Sequence, residues 1–402
     1  MILGFPAEFY FFVIILLCVA LFHNHVLKIA LTGLVIVSLY KIGFSSFKTG
    51  FGVDGFTNHL IHEWVIITNL LLLLVGFALL SNHFEKSNVT EVLSSILPKG
   101  WQGAFTLLAI IFFLSTFLDN IAAAIIGATI ASKLFKKKVH IGYLAAIVAV
   151  ANAGGAGSVL GDTTTTMMWL AGIPPIKVLP AFIGSIVALL FVGYFSAKQQ
   201  NAYQPLISNV ESKHGLDWSR VFIVFIILVS AVLTNILVNL KFNHLADFFP
   251  FIGASVWVAL FLLVPLRTPD WSLIPAAFKG SIFLLALVLT ASMMPVDKLL
   301  PASLFSTFGL GFLSSVFDNI PLTTLAIKQD NYDWGVLAYA VGYGGSMIWF
   351  GSSAGVAVSN LFPEAKSVKR WLISGWHIPL SYILGYVAIV LIWGWHPIPI
   401  TN

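Results

Sequence analysis

Apolar residues in this chain come in long unbroken runs, not in the alternation of a half-buried surface. Ten runs read as membrane spans, at about 8–22, 26–43, 63–82, 140–172, 177–197, 220–240, 249–266, 279–296, 333–362 and 371–395. A helix that crosses the hydrocarbon core needs about 20 mostly apolar residues. Two further apolar segments, about 101–135 and 300–328, carry a polar step near the middle. The first is too long for one span and too short for two comfortable ones. The pattern predicts a re-entrant hairpin in each: two half-helices that enter and leave by the same face. Irregular backbone at that depth is tolerated only where it is buried in protein or lines a cavity.

Composition agrees with the pattern. Of 402 residues, 58% are hydrophobic and 9% charged, which excludes a soluble globular protein and leaves no room for a sizeable soluble domain. The 21 basic residues against 16 acidic ones therefore concern orientation in a bilayer, not nucleic acid. With both hairpins re-entrant, Lys41, Lys48, Lys177, Lys241, Lys298 and Lys328 fall on one face and the remaining Lys and Arg, Lys213 among them, on the other. The richer face, with "KLFKKKVH" at 133–140, is predicted to be cytoplasmic, which puts both termini outside. The lone Cys18 excludes an internal disulfide and reads as a small buried hydrophobe. The first apolar run has neither a basic leader nor a small-residue cleavage site, and reads as a retained span. The ten histidines, including His23, His214 and His244, fall mostly at span ends or in loops.

The chain also repeats itself. "LSTFLDNI" at 114–121 and "LSSVFDNI" at 313–320 place an Asp-Asn pair in the middle of each hairpin. The span after the first contains "ANAGGAGSVLGDTTTTMMW", the span after the second "VGYGGSMIWFGSSAGVAVSN". Setting Gly154-Gly155 against Gly344-Gly345 also sets Gly161 against Gly351 and Asp162-Thr163 against Ser352-Ser353. Runs this rich in Gly, Ser and Thr are expected to break a helix and free backbone carbonyls. Each unit holds five spans and one hairpin. An odd number turns the second upside down, so the expected fold is all-α, two inverted-topology repeats over 1–197 and 220–402, joined by a cytoplasmic linker at 198–219.

Three carboxylates, Asp119, Asp162 and Asp318, fall inside the apolar segments. An intramembrane carboxylate is costly and reads as functional unless a cation pairs with it. Nearly every Lys and Arg sits in a loop or at a span end. Asp119 and Asp318 stand where a half-helix begins, with Pro321 just inside the second, so capping is part of their expected role. Asn120 and Asn319 add amide oxygens, and Ser115 and Ser314 lie one turn earlier. Carboxylate, amide, hydroxyl and freed carbonyl oxygens suit a small hard cation. A carboxylate withdrawn from water can carry a proton instead, and that competition is enough for exchange. Asp162 has no acidic counterpart in the other repeat, so it is the expected shared carboxylate.

At these residues the sequence resembles the NhaD-type sodium/proton antiporters. They form part of a wider ion transporter superfamily with arsenite exporters, citrate transporters and divalent anion/sodium symporters. The resemblance implies cation or proton binding by Asp119, Asn120, Asn152, Asp162, Thr164 and Thr165, and by Ser314, Asp318, Asn319, Ser346, Ser352 and Ser353 in the second half. Asp119, Asp162 and Asp318 are the Na+ candidates. It further implies a homodimer in a bacterial inner membrane, with no cofactor beyond the transported Na+ (or Li+) and H+. Competing readings are an organic-anion symporter, disfavoured by fixed negative charge at both hairpin tips, an arsenite exporter, and a passive channel. No nucleophile–base arrangement points to an enzyme.

Overall fold

A computed structural model describes residues 6–22, 25–88, 97–206, 215–242, 245 and 248–400. His23, Lys213, His214, His244 and part of the expected linker lie outside the described residues. Among these residues there are seventeen α-helices. They are α1 (Ala7–Leu21), α2 (Val26–Phe44), α3 (Gly52–Glu85), α4 (Trp101–Ser115), α5 (Asn120–Leu134), α6 (Ile141–Ala156), α7 (Thr163–Leu170), α8 (Ala181–Tyr203) and α9 (Trp218–Lys241). After these come α10 (Phe251–Leu263), α11 (Ile274–Ser292), α12 (Leu304–Ser314), α13 (Asn319–Gln329), α14 (Trp334–Gly344), α15 (Ser353–Leu361), α16 (Val368–Ser374) and α17 (His377–Ile392). One minimal departure from all-α is a two-stranded turn, Ser46–Phe47 paired antiparallel with Gly50–Phe51.

The chain is a polytopic, all-α membrane protein. Five helices are long and apolar enough to cross a bilayer, and α16 with α17, bent by 59° at a short break, makes up to a sixth. Several shorter apolar helices pack among them. At the centre stand α6 and α14, which are apolar on every side and therefore buried on every side. Every residue of α6 from Gly142 to Ala156 is buried, and so is all of α14. They touch each other, and α8 and α17 pack against both. The outer helices behave oppositely: Phe222, Phe225, Leu233 and Leu237 on α9 and Phe261 and Leu262 on α10 are exposed, as side chains facing lipid must be.

Both polar steps fall between helices. The first separates α4 from α5 at residues 116–119, the second α12 from α13 at 315–318. The Gly/Ser/Thr runs likewise interrupt helix, between Ala156 and Thr163 and between Gly344 and Ser353.

Two expected boundaries are wrong for physical reasons. The third span begins at Gly52, not near residue 63, because Asp54, His59, His62 and Glu63 belong to the helix. His59 and Glu63 are buried and face protein: His59 bonds Ser292 at 3.0 Å, and Glu63 pairs with Lys328 of α13. Polar residues that read as loop are accommodated by internal partners. The fifth span continues through "KQQNAY" to Tyr203, with Gln200 wholly buried, accepting from the His140 backbone N–H at 2.7 Å. At the loop ends, Lys86 bonds Asp270 at 2.8 Å and Arg267 bonds Asp217 at 3.0 Å. Hydrogen bonds from Lys86 and Ser272 hold the Asp270 carboxyl down at about 2.

The Glu63–Lys328 pair ties α3 to α13. Replacing Lys328 by Met strands a buried carboxylate, and removing one partner of a buried pair costs about 3–5 kcal/mol. A clear fall in the thermal unfolding midpoint of the detergent-purified protein is expected; an unchanged midpoint would mean that the pair is screened by solvent.

Candidate functional site

The site is built where two interrupted helices meet two helix–turn–helix tips. At the first tip Asp119 stands at the N-cap of α5 with φ −51° and ψ 138°. At the second Asp318 stands at the N-cap of α13 with φ −53° and ψ 140°. Asp162 caps α7 and Ser352 caps α15, both with φ −142°. The supporting bonds also match. Ser115 donates to the Ala151 carbonyl at 2.6 Å, and Ser314 donates to the Val341 carbonyl at 2.7 Å. Each hydroxyl satisfies a carbonyl of the central helix beside its tip, one turn or so before that helix breaks.

Glycines permit the approach. A Cβ on Gly154 would stand 2.1 Å from the Phe112 carbonyl oxygen, and one on Gly344 would stand 2.2 Å from that of Gly311. α4 and α12 therefore lie with their backbones directly against α6 and α14.

The expected site residues divide by what their polar atoms do. Asp162 is buried, and its Oδ1 accepts from the Thr164 N–H at 3.1 Å. Its Oδ2 and the Thr164 hydroxyl, both buried, approach each other and have no other hydrogen-bond partner in the protein. Asp318 accepts from the Ile320 N–H at 3.0 Å and from the Ser353 hydroxyl at 3.2 Å. The Asn120 amide donates to Asn152 Oδ1 at 3.0 Å. The amide of Asn152 in turn donates to Ser346 Oγ at 2.9 Å and to Ser352 Oγ at 3.1 Å. Asn319 is buried at the second tip. Thr165 spends its hydroxyl on the carbonyls of Ser158 and Asp162, at 2.6 and 2.9 Å, and Ser314 spends its own on Val341. These two hydroxyls serve the backbone, unlike that of Thr164.

Asp162 is close enough to Asp119 and to Asp318 for their charges to interact. None of the ion pairs found among the described residues involves any of the three. Among the described residues no three His, Cys, Asp or Glu side chains gather as a metal-holding group. The carboxylates are separate stations whose other oxygens come from amides and hydroxyls, a donor set for a weakly held cation.

Two cavities flank the site. One, of about 550 Å³ between α3, α11 and the first tip, reaches Asp119, Thr163 and Ser353. The other, of about 890 Å³, lies toward His59, Glu63 and Lys328 and touches none of the three carboxylates. An apolar cluster of Leu70, Met167, Leu284, Leu285, Val288 and Ile320 stands between them: Leu70 and Leu284 line the first, and Leu170 and Ile327, packed on the same cluster, line the second. Sequence reasoning missed Glu63 and Lys328, which sit 265 residues apart. It also missed Gly342, where a Cβ would come within 3.2 Å of Asp162 Oδ2; Gly342 occupies, in the second repeated segment, the register of Asn152 in the first.

No family model matches the chain. Curated proteins do. It is 26% identical over 348 residues to sodium/proton antiporter 1 of Arabidopsis thaliana, covering 75% of this chain and 58% of that protein. It is 24% identical over 397 residues to the Na+/H+ antiporter NhaD of Alkalimonas amylolytica, covering 83% and 78%. The NhaD of Vibrio cholerae is 27% identical over 336 residues, covering 70% and 67%. The chain thus spans less than two thirds of the plant protein's length and more of the bacterial ones. The resemblance to NhaD-type antiporters, drawn from the tip and broken-helix motifs, is borne out over most of the chain.

The close backbone contacts can be tested against helix propensity. Alanine is the better helix former by about 1 kcal/mol, but overpacking against a fixed carbonyl costs about 1–3 kcal/mol. Gly154→Ala and Gly344→Ala are each expected to lower the thermal midpoint, by similar amounts. A gain in stability in either would mean that the helices do not pack this closely.

Proposed function

We propose that this chain is a secondary transporter that exchanges Na+ (or Li+) for H+, with Asp162 as the carboxylate the two cargoes share. The observation that carries this is a buried carboxylate oxygen, Asp162 Oδ2, and a buried hydroxyl, Thr164 Oγ1, which approach each other and have no other partner in the protein. Polar atoms this deep normally have partners. An alkali cation satisfies both oxygens at once. A proton on the carboxylate removes the charge and lets the Oδ2 oxygen donate to Thr164. Either cargo answers the same need, so each displaces the other.

The names of the NhaD relatives support the cation reading over an organic anion, as does fixed carboxylate at both tips. Two inverted repeats over 1–197 and 220–402, each with a re-entrant hairpin, are part of the proposal. Supporting them are the paired capping angles and the paired serine–carbonyl bonds on either side of the site. The cavity that reaches Asp119 is then the cytoplasmic access path, and the apolar cluster beyond it is the closed side of an alternating-access cycle. A homodimer in a bacterial inner membrane, with both termini outside, completes the reading.

Reconstituted into liposomes with a trapped pH dye, the wild-type protein is expected to move protons when Na+ is added to one side. Asp162→Asn should abolish the response. Thr164→Val, which removes one oxygen and keeps the shape, should raise the Na+ concentration for half-maximal response about tenfold, as for a loss of roughly 1.4 kcal/mol. A silent wild type, or an Asp162→Asn protein that exchanges normally, would rule the assignment out.

A further inference from the structure

Asn152 and Gly342 occupy the same place in the two halves. Ala151 and Val341, whose carbonyls accept from Ser115 and Ser314, immediately precede them. The same 190-residue offset relates Gly155 to Gly345, Gly161 to Gly351 and Asp162 to Ser352. It holds in detail: a Cβ on Gly155 would meet the Gly161 carbonyl oxygen at 2.6 Å, and one on Gly345 would meet that of Gly351 at 2.7 Å. The two places are furnished differently. From the first central helix, Asn152 reaches across and sets its amide on Ser352, the cap of the second broken helix. From the second central helix, Gly342 faces Asp162, the cap of the first, and offers no side chain.

We propose that the two positions are equivalent, that the protein fills one with the Asn152 amide and the cargo fills the other, and that Gly342 is the wall that sets how large a cation fits against Asp162. This rests on the reading of Asp162 given above and deepens it. An amide N–H group and a bound cation do the same work for an oxygen: each presents positive charge to it. Ser352 is neutral and is satisfied by the amide. Asp162 is a carboxylate, and its Oδ2 and the Thr164 hydroxyl have no partner beyond one another. A methyl at position 342 would lie 3.2 Å from Asp162 Oδ2 and 3.3 Å from Ala156 Cβ, room enough to fold and too little to leave the oxygen's approach unchanged. One cation at this pair of positions follows, since the other is already taken.

The experiment compares Na+ and Li+ as drivers of proton release in liposomes, for wild type, Asp162→Asn, Gly342→Ala and Gly342→Asn. Gly342→Ala should raise the half-maximal Na+ concentration by about tenfold or more while affecting the smaller Li+ less. Its Li+/Na+ preference should therefore rise; that ratio does not depend on how much of the protein folds. Gly342→Asn, assayed in the fraction that elutes as folded protein, should place an amide on Asp162 and abolish the response to both ions. If Asp162→Asn is silent but Gly342→Ala keeps the wild-type Na+ requirement and ion preference, the inference is overturned and the exchange reading stands. If Asp162→Asn exchanges as wild type does, both fall together.

Discussion

Everything at the centre of this protein follows from a shortage of water. A helix broken in the interior releases carbonyls and N–H groups that solvent cannot satisfy, and each is expensive if left unmet. The hydroxyls crowded around the breaks mostly answer that need. Ser115 and Ser314 serve the helices beside the tips, Ser158 donates to the Thr116 carbonyl, and Thr166 donates to those of Val159 and Asp162. Once this backbone demand is met, few polar atoms are left over. What distinguishes Asp162 Oδ2 and Thr164 Oγ1 is that the rest of the network does not use them. A dense polar motif is thus mainly scaffold, and only a small remainder is left free of it.

The same accounting explains why two similar halves give an uneven site. The backbone frame is duplicated down to capping angles and serine contacts. The side chains that fill it are not. A carboxylate on one side and a serine on the other, a glycine on one side and an asparagine on the other, furnish a repeated frame unevenly at its two breaks. The surrounding cavities are uneven as well. The one that reaches Asp119 is walled chiefly by Leu, Ala and Phe.

Much of this was legible in the sequence. Long apolar runs give the membrane class because lipid demands them, and a polar step inside such a run marks a turn because nothing else tolerates it. Both tip turns and both helix breaks fall within the segments read for them. What could not be read depends on partners far along the chain. The first turns of α3 look like loop because Asp54, His59, His62 and Glu63 are polar, yet Ser292 and Lys328, from distant segments, make room for two of them inside. The individual threonines of the run after Asp162 cannot be ranked from composition, since their difference lies in which carbonyl each faces. Gly342 carries no chemistry of its own and becomes visible only when its register is set against Asn152.

The Asn152 side chain also has a mechanical meaning. It leaves the first central helix, accepts from the first tip through Asn120, and donates to Ser346 and Ser352 at the second break. Such bonds tolerate little sliding before their geometry fails. It is therefore a cross-brace: neither broken helix can shift against the other without losing it. Facing it across α3 and α11 is a seam of Leu70, Leu284, Leu285 and Val288, side chains whose contacts carry no direction and can be exchanged for neighbouring ones at small cost. Directional bonds lie within the core, and contacts without direction lie at its edge.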